Sequence, residues 1–349
     1  MYYETLLAMD SKFGKDDYYL KAKIETGNWK AIKEYVSHEK KLESSVYNNV
    51  QERSGVYEPH DLKAFINSFM PGSFGLWYQF ELKAPYFSAD DDPLYLLSNP
   101  ILKEQTSKLP MIPGSSWKGL LSAAACRKLK DTVQKEEDIK GVLRQYRSYI
   151  RIFGTGSEDF RSLQSQVKKI IEKKEKIDAN QLIKELLKYC VIDLGIRLKL
   201  KNDGSGLARQ LADRILEERY KDETDKILTV RQGRATFYPT YFLKLDYKII
   251  NPQDRKKRVG TNPIYYEVVP AKCKGIFQLI YIPHDGLSIS RREFIAEIEQ
   301  DREFLKRLLK RGLEEIGIGA KAKLGWGRAE VKLDEIKCFE NWVGETKDG

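Results

Sequence analysis

The order of strand and helix patterns is the feature that most constrains how this chain can fold. Four strand patterns and two helix patterns follow one another as β-α-β-β-α-β. In chain order they cover residues 74–87, 116–130, 234–246, 275–282, 291–316 and 326–333. This order predicts an α+β fold of the ferredoxin-like class, which RNA-recognition (RRM) domains also use. We therefore expect the two helices to cover one sheet face and the other face to be free for a ligand.

The remaining segments flank or interrupt this core. Residues 1–72 read as an N-terminal extension of short helices that ends in turn chemistry, and residues 160–228 read as a charged helical insertion. The predicted core spans 73–335, with a polar loop at 248–264. Residues 336–349 are expected to form a C-terminal tail.

Composition disfavours several classes of protein. At 41% hydrophobic residues the chain can bury a real core, so disorder is a poor description. The four cysteines form no C-x-x-C pair, and with only three histidines a His-based metal centre or catalytic triad is disfavoured. No apolar run is long enough to span a membrane and no export signal is visible, so we expect a soluble, cytoplasmic protein.

The net charge of +10 is unevenly distributed along the chain. Residues 1–70 carry 10 basic and 11 acidic side chains, whereas residues 248–258 carry a net +4 and residues 317–328 a net +3. A basic excess favours a polyanionic partner such as nucleic acid, but it also serves ordinary solubility, and charge alone does not separate the two.

The segment Ile112–Gly119 reads IPGSSWKG at the start of the first predicted helix. Backbone N–H groups at a helix start, the hydroxyls of Ser115 and Ser116, and the cation of Lys118 together suit a phosphate. A helix merely capped by one of these serines is the competing interpretation. The spacing is not that of a P-loop, so nucleotide hydrolysis is not implied.

A second candidate surface is the glycine-rich segment Gly317–Arg328, which contains four glycines and no acidic residue. Glycines such as Gly319 allow close approach to a sugar-phosphate chain. Three cations would neutralise that chain, and an indole could stack on a base or fill the core. The residues concerned are Lys321, Lys323, Arg328 and Trp326.

Two further charged runs have a functional and a plain interpretation. Arg255, Lys256, Lys257 and Arg258 lie in the polar loop and could form a basic hairpin that clamps a strand, or simply a solvated charge run. The Asp90–Asp92 run, that is Asp90, Asp91 and Asp92, could bind a metal or act as general acid or base, or it could cap a turn.

Four segments together resemble the RAMP superfamily, the repeat-associated Cas proteins of CRISPR RNA-guided effector complexes. They are similar, in the family's order, to its IPGSSLKG, RLFG, GRLxF and C-terminal glycine-rich motifs. The segments are Ile112–Gly119, Arg151–Gly154, Gly233–Phe237 and Gly317–Arg328. The resemblance covers about residues 74 to 333 and is closest to subunits of type III complexes, the Csm and Cmr kinds.

The resemblance implies a crRNA-binding structural subunit that acts in antiviral defence, with target RNA and other Cas subunits as partners and no cofactor needed for binding. The 248–264 loop would be the thumb that kinks the guide–target duplex. The residues then expected to contact RNA are Ser115, Ser116, Lys118, Arg151, Arg255, Lys256, Lys257, Arg258, Gly319, Lys321, Lys323, Trp326 and Arg328.

Two enzymatic alternatives also follow from the resemblance. Cleaving backbone subunits carry an Asp in the loop after the first strand, where this chain has Ser98. The Asp90–Asp92 run could substitute for it in a target-RNA endoribonuclease, with Mg²⁺ if target RNA is cleaved. An endonuclease that matures the repeat transcript ranks last, because neither His38 nor His60 lies by a family motif.

Overall fold

The computed structural model describes residues 44–90, 99–134, 139–154, 232–251, 263–286 and 290–342. Helices and antiparallel strands are mixed within them, which confirms the predicted α+β class. In chain order the helices and strands are α1 (Ser44–Arg53), α2 (Pro59–Ile66), β1 (Phe74–Glu81), β2 (Met111–Ile112), α3 (Gly114–Gln134), α4 (Ile139–Phe153), β3 (Ala235–Phe237), β4 (Thr240–Tyr241), β5 (Asp246–Ile250), β6 (Ile264–Val268), β7 (Lys274–Tyr281), α5 (Arg291–Arg311) and β8 (Lys337–Glu340). The insertion predicted at 160–228 lies outside the described residues.

The main sheet has four strands in the order β3-β7-β1-β8, and every neighbouring pair is antiparallel. β1 is paired along its whole length with β7, from Phe74 opposite Tyr281 to Glu81 opposite Lys274. Two smaller two-stranded sheets pair β2 with β4 and β5 with β6. The fully paired centre of the main sheet therefore consists of β1 and β7, the strands with the longest apolar runs.

α3 and α5 pack on one face of this sheet. Trp117 of α3 is fully buried, its ring lies 5.5 Å from that of Phe80 and 4.9 Å from that of Phe277, and its indole N–H donates to Thr240 Oγ1 at 3.0 Å. The predicted helix 116–130 is α3, and the predicted helix 291–316 is α5 followed by a π-helical turn, Gly312–Ile316. The helical spacing of apolar residues in the sequence thus predicted both helices.

The prediction that the other sheet face is free for a ligand is wrong. α1, α2 and the turn between them cover it, and Leu62 and Ile66 pack with Trp77 and Ile280 in a second apolar cluster. The indole of Trp77 donates to the carbonyl of Tyr57 at 3.1 Å. RNA therefore cannot lie across this face as it does in RNA-recognition domains unless the N-terminal helices move away.

Gln278 anchors the N-terminal helices to the sheet. Its side-chain carbonyl accepts from the Tyr57 N–H at 2.9 Å, and its amide donates to the Gly55 carbonyl at 2.7 Å. We expect Gln278→Leu to lower the free energy of unfolding by about 2 kcal/mol, because it leaves a backbone donor and a backbone acceptor unpaired. Gln79→Leu, on the exposed side of β1, is the control in denaturant unfolding, and equal effects of the two changes would contradict this role.

The fourth strand of the sheet lies later than predicted, so the strand predicted at 326–333 is wrong. Ala329 makes only an isolated bridge with Leu82, and the Val331 N–H donates to the Glu314 side chain at 3.0 Å instead of to a strand. The actual strand, β8, begins at Lys337, beyond the core boundary predicted at 335. Residues 337–340 are thus part of the sheet and not of a tail.

Other element boundaries were partly predicted. The strand predicted at 234–246 is split into β3 and β4, with Pro239 between them, since proline lacks the N–H that a paired strand needs. β1 ends at Glu81, and the predicted strand continues only as bridges at Leu82 and Tyr86. α4 was not predicted. Among the described residues no helix is both long and apolar enough to cross a lipid bilayer.

Candidate nucleic-acid interface

The glycine-rich segment Gly317–Arg328 forms a tight surface loop that lies against residues 85–87. The Ala320 N–H donates to the Phe87 carbonyl at 2.7 Å, and the Gly327 N–H donates to the Pro85 carbonyl at 2.8 Å. Gly319 has φ +86, and a Cβ there would overlap the Phe87 carbonyl oxygen, so only glycine allows this approach. The glycines therefore serve to seat the loop, whatever they also offer to a ligand.

Three aromatic rings join this loop to the hairpin made by β5 and β6, at its base, which is formed by residues 246–248 and 266–268. The Phe87 ring lies 5.1 Å from that of Tyr266 and 6.4 Å from that of Trp326, and the Tyr266 and Trp326 rings are 5.9 Å apart. All three contacts are close to edge-to-face, which is a favourable arrangement. Trp326, a predicted RNA contact, is half-buried here and packs in this cluster.

A buried ion pair fixes the same hairpin base from its other side. The Lys103 ammonium lies 3.0 Å from one carboxylate oxygen of Glu267, and the other oxygen accepts from the Ile101 N–H at 3.0 Å. Asn99 adds a bond from its side chain to the Tyr265 carbonyl at 2.9 Å. The base of the predicted thumb is thus held rigidly, whereas its basic residues Arg255 to Arg258 lie outside the described residues.

Tyr86 connects the glycine-rich loop with the start of α3. Its hydroxyl donates to the Met111 carbonyl at 3.0 Å, just before the IPGSSWKG helix start, and a Cβ at Gly319 would lie 2.7 Å from its ring. Burial raises the pKa of Tyr86 well above its usual value, so the phenol stays protonated and remains a donor. The helix start and the loop, predicted separately as phosphate sites, thus lie on either side of one side chain.

The cationic side chains of this region differ in whether they already have a partner within the protein. Lys118, Lys321 and Lys323 are exposed, and none has an ion-pair partner among the described residues. Arg328 donates to the Glu315 carbonyl at 3.2 Å. The surface formed by the loop 317–328, residues 114–118 at the start of α3 and the base of the β5–β6 hairpin is called the basic loop surface below.

The two serines of the helix start belong to this surface. The competing interpretation supposed that one of these serines caps the helix. α3 begins at Gly114, however, so Ser115 and Ser116 lie within its first turn and do not cap it. Ser115 is exposed and Ser116 half-buried. The Ser116 N–H donates to the Pro113 carbonyl at 3.0 Å, so this donor is partly engaged within the turn. The hydroxyl of Ser115 is the more accessible of the two to a ligand.

Arg151, also predicted to contact RNA, lies in the core and not on this surface. It is 1% exposed, and its guanidinium donates to both carboxylate oxygens of Asp301, at 2.8 and 2.6 Å. Burial alone would lower the pKa of Arg151, but the Asp301 carboxylate raises it above its ordinary value. Arg151 is therefore not available to an RNA phosphate in this structure, and we leave it out of the basic loop surface.

The RIFG and GRATF motifs meet at this buried charge cluster. The Arg234 N–H donates to the Arg151 carbonyl at 2.7 Å, and the Arg234 guanidinium bonds Asp285 and the Tyr281 hydroxyl. Asp301 itself lies on the buried stripe of α5. An acidic residue within an apolar stripe was the sequence signal that could have identified it as a partner for a buried arginine.

The acidic run Asp90–Asp92 lies only in part within the described residues. The Asp90 N–H donates to the Pro100 carbonyl at 3.1 Å, which places Asp90 near the hairpin base, while Asp91, Asp92 and Ser98 lie outside the described residues. In the described ranges no group of three or more His, Cys, Asp or Glu side chains is arranged to hold a metal ion. A ribonuclease role for this run, with Mg²⁺, stays a prediction.

Fold and surface together define an α+β domain with antiparallel sheets and a glycine-rich, basic surface loop. The sequence matches the model of the RAMP superfamily over residues 79–330, and the chain belongs to this superfamily. The match begins within β1 and ends just past the glycine-rich loop, so it contains all the predicted motifs.

Comparison with solved structures gives remote similarities only. A chain of the type III-B Cmr-beta complex bound to cognate target RNA, determined by cryo-EM, is 12% identical with a TM-score of 0.40, over 97% of this chain and 87% of that chain. Cmr6 from Pyrococcus furiosus is 15% identical with a TM-score of 0.30, over 75% of this chain and 100% of that chain. No curated protein sequence matches this chain.

Proposed function

We propose that this chain is a crRNA-binding structural subunit of a type III CRISPR effector complex. Its membership of the RAMP superfamily and the similarity of its four motifs to type III subunits support this function. The observation that carries it is the basic loop surface, where Lys118, Lys321 and Lys323 have no ion-pair partner among the described residues. Cations left unneutralised beside a glycine-rich backbone suit a phosphate chain.

The strand order supports a ferredoxin-like core as part of the same proposal. α3 lies in the chain between β1 and β3, α5 lies between β7 and β8, and the sheet order is β3-β7-β1-β8. In a ferredoxin-like fold each half of the β-α-β-β-α-β chain is a β-α-β unit, in which one helix connects the two strands. The strands of the two units alternate in the sheet, which gives the observed order. The short hairpin β2–β4 and the β5–β6 hairpin are then additions to this core.

The covered sheet face decides where the RNA is proposed to lie. Since α1 and α2 pack over that face, the guide passes instead along the basic loop surface, with its backbone on the lysines. The β5–β6 hairpin projects from one side of this path, and its loop, with Arg255, Lys256, Lys257 and Arg258, acts as the thumb on the guide–target duplex. Target RNA and other Cas subunits, within the cytoplasm, complete the proposed assembly.

A salt titration of RNA binding tests this proposal. The triple variant Lys118→Ala, Lys321→Ala and Lys323→Ala is expected to bind crRNA about 10- to 100-fold more weakly at physiological salt. The slope of log affinity against log salt should fall by about 2, because each phosphate contact on a single strand contributes about 0.7. Fluorescence anisotropy with labelled crRNA at several salt concentrations measures both quantities.

The control removes three exposed cations elsewhere, with the same change in net charge. Lys63→Ala, Lys130→Ala and Arg307→Ala lie on α2, on the last part of α3 and on α5. This variant should keep most of the affinity and slope, since long-range attraction between exposed charges is screened by salt. If the two triple variants lose affinity equally, the charge acts in bulk and the basic loop surface is not the RNA site.

A further inference from the structure

Lys321 adopts a backbone conformation that lysine seldom takes. Its φ of 61° and ψ of 21° lie in the left-handed region, where the other four positive-φ positions of the glycine-rich loop are all glycine. Glycine would take this conformation without the steric cost that a Cβ brings. A lysine in such a place is explained most directly by a need for its cation, since strained residues collect at functional sites.

The ring of Tyr266 fixes the position of that cation. The Lys321 ammonium lies 5.1 Å from the centre of the Tyr266 ring, within the range of a cation–π contact. Tyr266 is 6% exposed, and the rings of Phe87 and Trp326 pack edge-to-face against it. Its main chain is paired opposite Lys248 in the β5–β6 hairpin, so the ring is held by both the sheet and the cluster.

An aromatic face positions a cation differently from a carboxylate. A carboxylate would neutralise the ammonium and occupy its N–H donors, whereas a ring orients the charge and leaves its donors facing outward. Lys321 has no carboxylate partner among the described residues. The contact with Tyr266 thus holds the charge in place and keeps it available to an anion.

We propose that Tyr266 is a positioning residue that holds the Lys321 ammonium ready for an RNA phosphate, and so links the hairpin base to the glycine-rich loop. This inference rests on the proposed RNA-binding function. It adds that the hairpin contributes to affinity through Lys321, because the ring that orients the cation belongs to β6. An RNA that displaces the hairpin would therefore also loosen the phosphate contact of the loop.

A double-mutant cycle with the full chain tests this link. Lys321→Ala, Tyr266→Leu and the double variant are compared for affinity to a labelled single-stranded RNA of mixed sequence. Lys321→Ala should weaken binding about 5- to 10-fold and lower the salt slope by about 0.7. Tyr266→Leu should weaken binding about threefold when Lys321 is present and have little effect when it is absent. Tyr266→Phe, which keeps the ring face, should bind like the unaltered chain.

A merely structural role for Tyr266 gives a different pattern. If leucine at this position only loosens the hairpin, the loss will be the same with and without Lys321, and the proposal is overturned. Failure of phenylalanine to preserve affinity would overturn it as well. If Lys321→Ala alone has no effect while the triple variant still loses affinity, this inference fails and the proposed function stands. If the triple variant keeps its affinity, the proposed function itself fails.

Lys321→Gly provides a test that does not disturb the aromatic cluster. Glycine relieves the left-handed strain, so the unfolding midpoint should stay the same or rise, while RNA affinity should fall as far as it does for Lys321→Ala. This combination would support a lysine kept for its cation. A drop in the unfolding midpoint, or an unchanged affinity, would show that Lys321 serves the fold and not a ligand.

Discussion

Asp301→Ala is expected to lower the free energy of unfolding by about 3 to 5 kcal/mol, the cost typical of breaking a buried ion pair from one side. The Asp301 side chain is fully buried and accepts from the Arg151 guanidinium at 2.8 and 2.6 Å and from the Tyr281 hydroxyl at 2.6 Å. Without it, the buried Arg151 guanidinium is left with the longer contact with the Glu297 carboxylate, at 3.5 Å, which it shares with the Arg234 guanidinium. The carboxylate thus holds together α4, α5 and β7.

Equilibrium unfolding in denaturant measures this effect, with Glu299→Ala as the matched control. Glu299 lies two residues earlier on the same helix and is exposed, so its loss should change stability by less than about 0.5 kcal/mol. Asp301→Asn keeps the shape and removes the charge, and should give an intermediate loss. If Asp301→Ala and Glu299→Ala unfold at the same denaturant concentration, the cluster does not stabilise the fold as described.

Gly327→Ala is expected to open the glycine-rich loop at its neck, where Gly327 and Ile318 meet, and to abolish the contribution of the loop to RNA binding. Gly327 has φ +69, and a Cβ at this position would overlap the Ile318 carbonyl oxygen. Its carbonyl also accepts from the Ile318 N–H at 2.9 Å, so the two chain segments of the neck cannot separate without losing a hydrogen bond. We expect a loss of about 3 kcal/mol or more in the free energy of unfolding, or a locally opened loop.

Gly325→Ala separates the effect of backbone strain from that of the clash. Gly325 also has a positive φ, +81, but a Cβ there would meet no atom within 4 Å. Alanine at this position should therefore cost only the strain of the left-handed region, about 1 kcal/mol. Unfolding curves and RNA affinity for both variants are the measurements. Similar losses for the two changes would show that the neck does not depend on the close approach at Gly327.

Local sequence patterns predicted the elements that carry a regular apolar pattern of their own. α3 and α5 were predicted from the helical spacing of apolar residues, and β1 and β7 from alternating strand patterns. The fourth strand was misplaced because Ala329 and Val331 are buried like strand residues although their backbone does not join the sheet. Which segment pairs with a sheet edge depends on tertiary contacts, and the sequence of β8 has no pattern of its own that predicts a strand.

The candidate site was predicted in its parts and not in its assembly. Glycine content and charge identified the loop that carries Lys321, and the helix start with Lys118 was recognised by its motif. Tyr266 was missed, although two tyrosines in a strand beside a basic loop are a signal worth weighing. Arg151 was misread because its partner, Asp301, lies 150 residues away in the sequence.

The isolated bridge between Gly154 and Gln232 joins two parts of the core that lie far apart in the sequence. The Arg234 N–H donates to the Arg151 carbonyl just beside it, so residues 151–154 and 232–234 are held close together. For a flexible segment, doubling the length between two such adjacent ends adds only about 0.6 kcal/mol of closure entropy. Because these ends are adjacent, the described core would tolerate connections of very different length at this junction with little change in its stability.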